Sequence, residues 1–76
     1  MAHTTDTRSR IASEVRAGLS RAGKSQKALA AYMAVSPTTL TDRMQGRKPF
    51  SVEEIMLIAE FLNVDWLTLV PRSSAD

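Results

Sequence analysis

Residues 36–48 gather side chains suited to one kind of chemistry. In "SPTTLTDRMQGRK" stand Thr38, Thr39 and Thr41, the carboxylate Asp42, the amide Gln45 and the cations Arg43, Arg47 and Lys48. Hydroxyls, amides and carboxylates form directional hydrogen bonds, while guanidinium and ammonium groups hold anions. Nothing in the set pairs a nucleophile with a base. The single histidine, His3, falls in the N-terminal tail, and the chain has no cysteine. There is no glycine-rich phosphate loop, no metal-ligand spacing and no paired-carboxylate site, so neither enzyme nor cofactor is expected. Glu53-Glu54 are accounted for by helix capping. The chemistry on offer is recognition of a polar, anionic surface.

Thr and Asp are weak helix formers, yet the segment is bounded like a helix. Ser36 is a natural N-cap, Pro37 suits the first helical position, and Gly46 suits the C-terminal stop. Leu40 and Met44 then point inward. At about 100° per residue, the opposite face holds Thr38, Asp42 and Gln45, flanked by Thr39, Thr41 and Arg43. Upstream, Ser25 caps "QKALAAYMA", whose inward face is Leu29 and Met33. Ala28, Ala30 and Ala31 keep that helix thin, which lets a neighbour cross closely. Only Ala34-Val35 separates it from Ser36, so the chain must turn sharply.

The remaining elements complete an all-α domain. From Thr7, Ile11, Val15 and Leu19 recur at every fourth position, with Ala12 and Ala22 beside them, and Gly23 ends the stripe. Arg8, Arg10, Arg16 and Arg21 lie off it, on a face that reads as solvated. In "FSVEEI", Ser51 and Glu54 form a capping box, and Phe50 with Ile55 a hydrophobic staple. The fourth helix runs to about Leu62 with Val52, Ile55, Ile58, Ala59 and Leu62 inward. "VDWLTLV" is a fifth short helix, with Asp65 near its start and Pro71 as its stop. Met33, Met44 and Met56 read as core fillers. Trp66 reads as a packing anchor or the edge of a dimer contact. The expected organisation is a five-helix domain over residues 7–70, with loose polar tails at 1–6 and 71–76.

Seventy-six residues make one small domain, whose core gives marginal stability alone. No apolar run spans a bilayer and the N-terminus lacks a signal-peptide core, so a cytoplasmic protein without membrane contact is expected. The net charge of +2 conceals a division. Residues 8–48 carry nine Lys/Arg against Glu14 and Asp42, a net +7. Residues 49–76 carry Arg72 against Glu53, Glu54, Glu60, Asp65 and Asp76, a net −4. Such a chain has a basic end able to meet a polyanion and an acidic end that avoids one.

Two short helices with a tight connection, the second polar outside and followed by cations, make a helix-turn-helix pattern. Gln26, Leu29, Ala30, Met33, Val35, Ser36, Leu40 and Gly46, followed by the "FSVEEI" helix, resemble the lambda-repressor and Cro-like helix-turn-helix family of phage and bacterial regulators. The likeness covers roughly residues 8–69. It implies a compact lambda-repressor-like fold in which helices 2 and 3 form the helix-turn-helix. It also implies that helix 36–45 enters the major groove of double-stranded DNA and that Gln26 meets a phosphate. Relatives often carry glycine at the turn position held here by Ala34. A left-handed backbone there would make alanine about 1 kcal/mol less favourable than glycine.

On that resemblance, Ser36, Pro37, Thr38, Thr39, Asp42 and Arg43 are expected at base edges. Asp42 could accept from a cytosine amino group, and Arg43 could hold a guanine or a phosphate. Ser25, Gln26, Lys27, Thr41, Arg47 and Lys48 are expected at phosphates, helped by the positive N-terminus of the second helix. One recognition helix touches too few base pairs to find a single site, so a homodimer on a palindromic operator is expected, joined through Trp66, Leu69, Val70 and Pro71. The resulting reading is a small Cro-like repressor with no small-molecule ligand. The alternative is an antitoxin or adaptor that uses the same fold to hold a protein.

Overall fold

In the computed structural model, residues 4–70 are described, and every regular element among them is helical. Helix α1 spans Thr4–Ala22, α2 Gln26–Met33, α3 Pro37–Met44 and α4 Val52–Leu62, followed by a 3-10 turn at Trp66–Thr68. The expected fifth helix is only this turn. Its three residues are held by Asp65, whose side chain accepts from the Leu67 N–H at 3.1 Å. The first helix begins at Thr4, not Thr7. His3, Pro71 and the rest of the C-terminal tail lie outside the described residues.

Serine starts three of the helices. Ser25, Ser36 and Ser51 each accept a hydrogen bond from the backbone N–H three residues on, at 3.0–3.1 Å. This satisfies one of the orphan donors at each helix start. At Ser51 the box is reciprocal, because Glu54 Oε1 accepts from the Ser51 N–H at 2.9 Å. The four α-helices also end alike. Lys24, Val35, Arg47 and Val64 each donate their N–H to the carbonyl five residues back, at 2.9–3.0 Å, which is the Schellman closure. The residue before each takes a positive φ: Gly23, Ala34, Gly46 and Asn63. Alanine at φ 59° bears the left-handed strain that glycine escapes. This tight closure makes the turn between α2 and α3 so short.

The core has one fully buried residue from each helix: Val15, Leu29, Leu40 and Ile58. Around them α1 packs on α3 and α4, and α2 on the same two helices. Phe50 and Ile55, the staple pair, are both buried. Gly18 lets α1 and α4 meet closely, since a Cβ there would stand 2.7 Å from Leu62 Cδ1. Three inward assignments fail. Val52 is 75% exposed and Met56 50%, because no described helix covers that side of α4, and Ala22 is exposed at the last turn of α1.

Candidate nucleic-acid interface

Helix α3 is fixed from beneath by Leu40 and Met44, which are 1% and 3% exposed. That anchoring turns Pro37, Thr38, Thr41 and Gln45 outward, all of them exposed, with Asp42 partly covered beside them. Side chains on this outer face are short, so a flat or grooved surface can approach the helix backbone. The N-terminus of α2 lies alongside. Gln26 and Lys27 share a cleft of about 190 Å³ with Pro37, Leu40 and Thr41. Both Gln26 and Lys27 are exposed, next to backbone N–H groups that carry partial positive charge.

Several hydroxyls named from the sequence have structural duties first. Ser25 and Ser36 cap their helices. Ser36 Oγ also donates to Thr39 Oγ1 at 2.9 Å, so these two hydroxyls form one unit at the start of α3. Thr41 Oγ1 donates to the Pro37 carbonyl at 2.9 Å, which leaves its lone pairs facing out. Thr38 stands exposed on the outermost line of the helix.

Two side chains of α3 are held in ion pairs. Arg43, expected at a base edge, turns instead toward α4, and its Nε donates to Glu54 Oε1 at 3.0 Å. Both side chains are mostly covered, at 22% and 15% exposure. The cause is helix rotation. With Leu40 and Met44 inward, position 43 falls on the flank facing the capping box, where a carboxylate is already held. Asp42 does not stand alone either, because Arg47 Nη1 donates to its Oδ1 at 3.0 Å. A carboxylate expected to face the groove is thus neutralised by a cation expected at a phosphate.

The C-terminal end of α3 collects further arginines. Arg16 Nη2 donates to the Met44 carbonyl at 3.1 Å, and Arg8 Nη1 to the Arg47 carbonyl at 3.3 Å. Cations there satisfy orphan carbonyls and oppose the negative helix end. Arg16 is exposed, as its place off the apolar stripe predicts, and Arg8 is partly covered. No local pattern announces a contact between residues 28 or 39 positions apart. Lys48 follows, exposed, so α3 ends inside a basic collar.

The face formed by α4 and the 3-10 turn differs in kind. Val52, Ile55, Met56, Trp66 and Val70 line an apolar hollow of about 350 Å³. Trp66 is 43% exposed, so it anchors only partly. Leu69, expected at a dimer surface, is 2% exposed and belongs to the core, because the 3-10 turn folds it back under α4. Glu53, Glu60 and Asp65 border the adjoining groove. At its edge Tyr32 donates to Glu60 Oε1 at 2.7 Å, while Lys24 sits 4.4 Å above the Phe61 ring. The Glu60 hydrogen bond raises the Tyr32 pKa above its ordinary 10.0.

Two short helices, α2 and α3, joined by the tight connection at residues 34–36, with α3 polar on its outer face, define a helix-turn-helix domain. A family model described as Helix-turn-helix matches residues 15–69, more than half of the chain. The chain belongs to this family of lambda-repressor/Cro-like helix-turn-helix domains, which are DNA-binding. No curated protein and no solved structure matches it. Among the described residues no helix is long and apolar enough to cross a membrane.

Proposed function

We propose that the protein is a sequence-specific regulator of transcription that binds a palindromic operator as a homodimer and represses by occupying promoter DNA. The observation carrying this reading is the outer face of α3: short, polar and exposed, anchored from below, and set between the α2 N-terminus and a basic collar. α3 enters the major groove, with Thr38 and Pro37 nearest the base edges and Ser36 and Thr39 at the entering end. Gln26, Lys27 and Lys48 meet phosphates, and Ser25 and Thr41 assist from either side of the cleft between α2 and α3. Phosphate contacts fix register, and base contacts select sequence.

Dimer formation uses the apolar hollow of the α4 face, with Trp66 and Val70 joined by Val52 and Met56 rather than by the buried Leu69. A second reading draws on that same hollow and its acidic border: the chain is an adaptor or antitoxin whose main partner is another protein. Selecting bound duplexes from a random pool separates the two. A regulator enriches a two-fold symmetric site and loses affinity steeply between about 50 and 200 mM salt. Failure to retain any duplex at about 50 mM salt, together with a heteromeric complex, favours the adaptor.

A further inference from the structure

We propose that Asp42 and Arg47 act as one base-reading unit, in which Arg47 meets the major-groove edge of a guanine and Asp42 is the positioning residue that aims it. This rests on the DNA-binding reading above and reassigns two roles within it. Four observations support the assignment. Arg47 is held at its backbone from both sides: its N–H donates to the Asp42 carbonyl at 3.0 Å, and its carbonyl accepts from Arg8 Nη1 at 3.3 Å. From that fixed point its side chain runs back along α3 to reach Asp42 Oδ1 at 3.0 Å, instead of extending off the helix end. Asp42 lies four residues after Thr38, one turn along the same outer face. The Arg47 side chain is 64% exposed, and that of Asp42 32%.

The chemistry follows from the guanidinium itself. It has five N–H donors in a rigid plane, and the contact with Asp42 uses one. The remainder stay open to a ligand, and guanine presents O6 and N7 at the spacing a guanidinium spans. A carboxylate among phosphates would be repelled if unpaired; paired, it adds orientation without net repulsion. An exposed ion pair contributes little to stability, so aim is what this pair supplies. Arg43 is the internal contrast, because its partner Glu54 lies in the capping box and its guanidinium is mostly covered.

The test uses the full chain and the preferred duplex selected from a random pool. Dissociation constants are measured on that duplex and on one with the contacted guanine replaced by adenine. Wild type should prefer guanine by roughly ten- to one-hundred-fold. Asp42→Ala and Arg47→Met should each reduce the preference to within a few-fold, and the double variant should be no worse than Arg47→Met alone. Asp42→Asn, which keeps an acceptor but drops the charge, should retain part of the preference. Circular dichroism melts confirm that each variant is folded. The proposal is overturned if Asp42→Ala leaves the preference intact or if its effect persists undiminished in the Arg47→Met background. It is overturned also if Arg47→Met weakens every duplex equally, as a phosphate contact would. A pool that enriches no duplex sinks the DNA-binding reading and this inference together; an enriched duplex without coupling sinks this inference alone.

Discussion

The α3 face and the α4 face were both built from amphipathic helices on one small core, yet they expose opposite chemistries. On α3 the buried line is Leu40 and Met44, and the outward residues are Pro37 and the polar Thr38, Thr41 and Gln45. On α4 the buried line is Ile55, Ile58, Ala59 and Leu62, and Val52 and Met56 remain exposed beside Trp66. A polar face beside cations suits a hydrated polyanion, where contacts are hydrogen bonds and ion pairs. An apolar face of this size on a domain this small suits a protein surface. The acidic side chains Glu53, Glu60 and Asp65 border the α4 face, a charge that disfavours a polyanion there. What each helix leaves uncovered thus gives one small domain two surfaces of different chemistry.

The largest expected effect comes from undermining the α3 side. Leu40→Ala should lower stability by about 2–5 kcal/mol, read from urea unfolding, because it opens a cavity under the helix. A loss below about 1 kcal/mol would mean that α3 is held by something other than its underside. Next is the α4 side. Trp66→Ala should raise the dimer dissociation constant by roughly tenfold or more in sedimentation equilibrium, with little change in urea unfolding of the monomer. An unchanged association constant would remove that face from the dimer.

A smaller effect concerns the turn that aims α3. Ala34→Gly should raise stability by about 1 kcal/mol, since glycine accepts the positive φ without strain. A destabilised variant would show that Ala34 makes contacts worth more than that strain. The smallest effect is on titration beside the acidic groove. Tyr32 is the only tyrosine, so its ionisation can be followed by ultraviolet absorbance. Its midpoint should lie above 10.0 and fall toward that value in Glu60→Gln, because the carboxylate stabilises the protonated phenol. The linked stability is present below the unfolded value and is lost as pH rises through the folded one. An unmoved midpoint in Glu60→Gln would break the Tyr32–Glu60 contact as a solution feature.

The starts of α2, α3 and α4 were legible in the sequence because their cause is local. Ser25, Ser36 and Ser51 cap within three residues of themselves, and the capping box at Ser51–Glu54 can be read from spacing alone. The buried lines of α2 and α3, and that of α1 as far as Leu19, were legible for the same reason, since periodicity reports which side of a helix is apolar. Periodicity does not report how much of that side a neighbour covers, which is why Val52 and Met56 were placed inward. Nor does it report pairing between elements. Arg43 with Glu54, Asp42 with Arg47 and Arg16 with the Met44 carbonyl each depend on how α3 is rotated and docked. Periodicity places Thr38, Thr41 and Gln45 on the exposed side of α3, while what its charged residues hold, Arg43 above all, depends on the fold. Leu69 shows the reverse error, an apolar residue near a chain end that the 3-10 turn returns to the core.

The most direct test is nuclear magnetic resonance of the full chain titrated with its selected duplex. Amide shifts should concentrate at residues 25–27 and 36–48 from the first additions. Residues 52–70 should respond only as far as dimer formation on the duplex alters them, and not at all in Trp66→Ala on a single half-site. Shifts gathered along α4 and the 3-10 turn, with Thr38 and Asp42 unmoved, would contradict the assignment of the two faces.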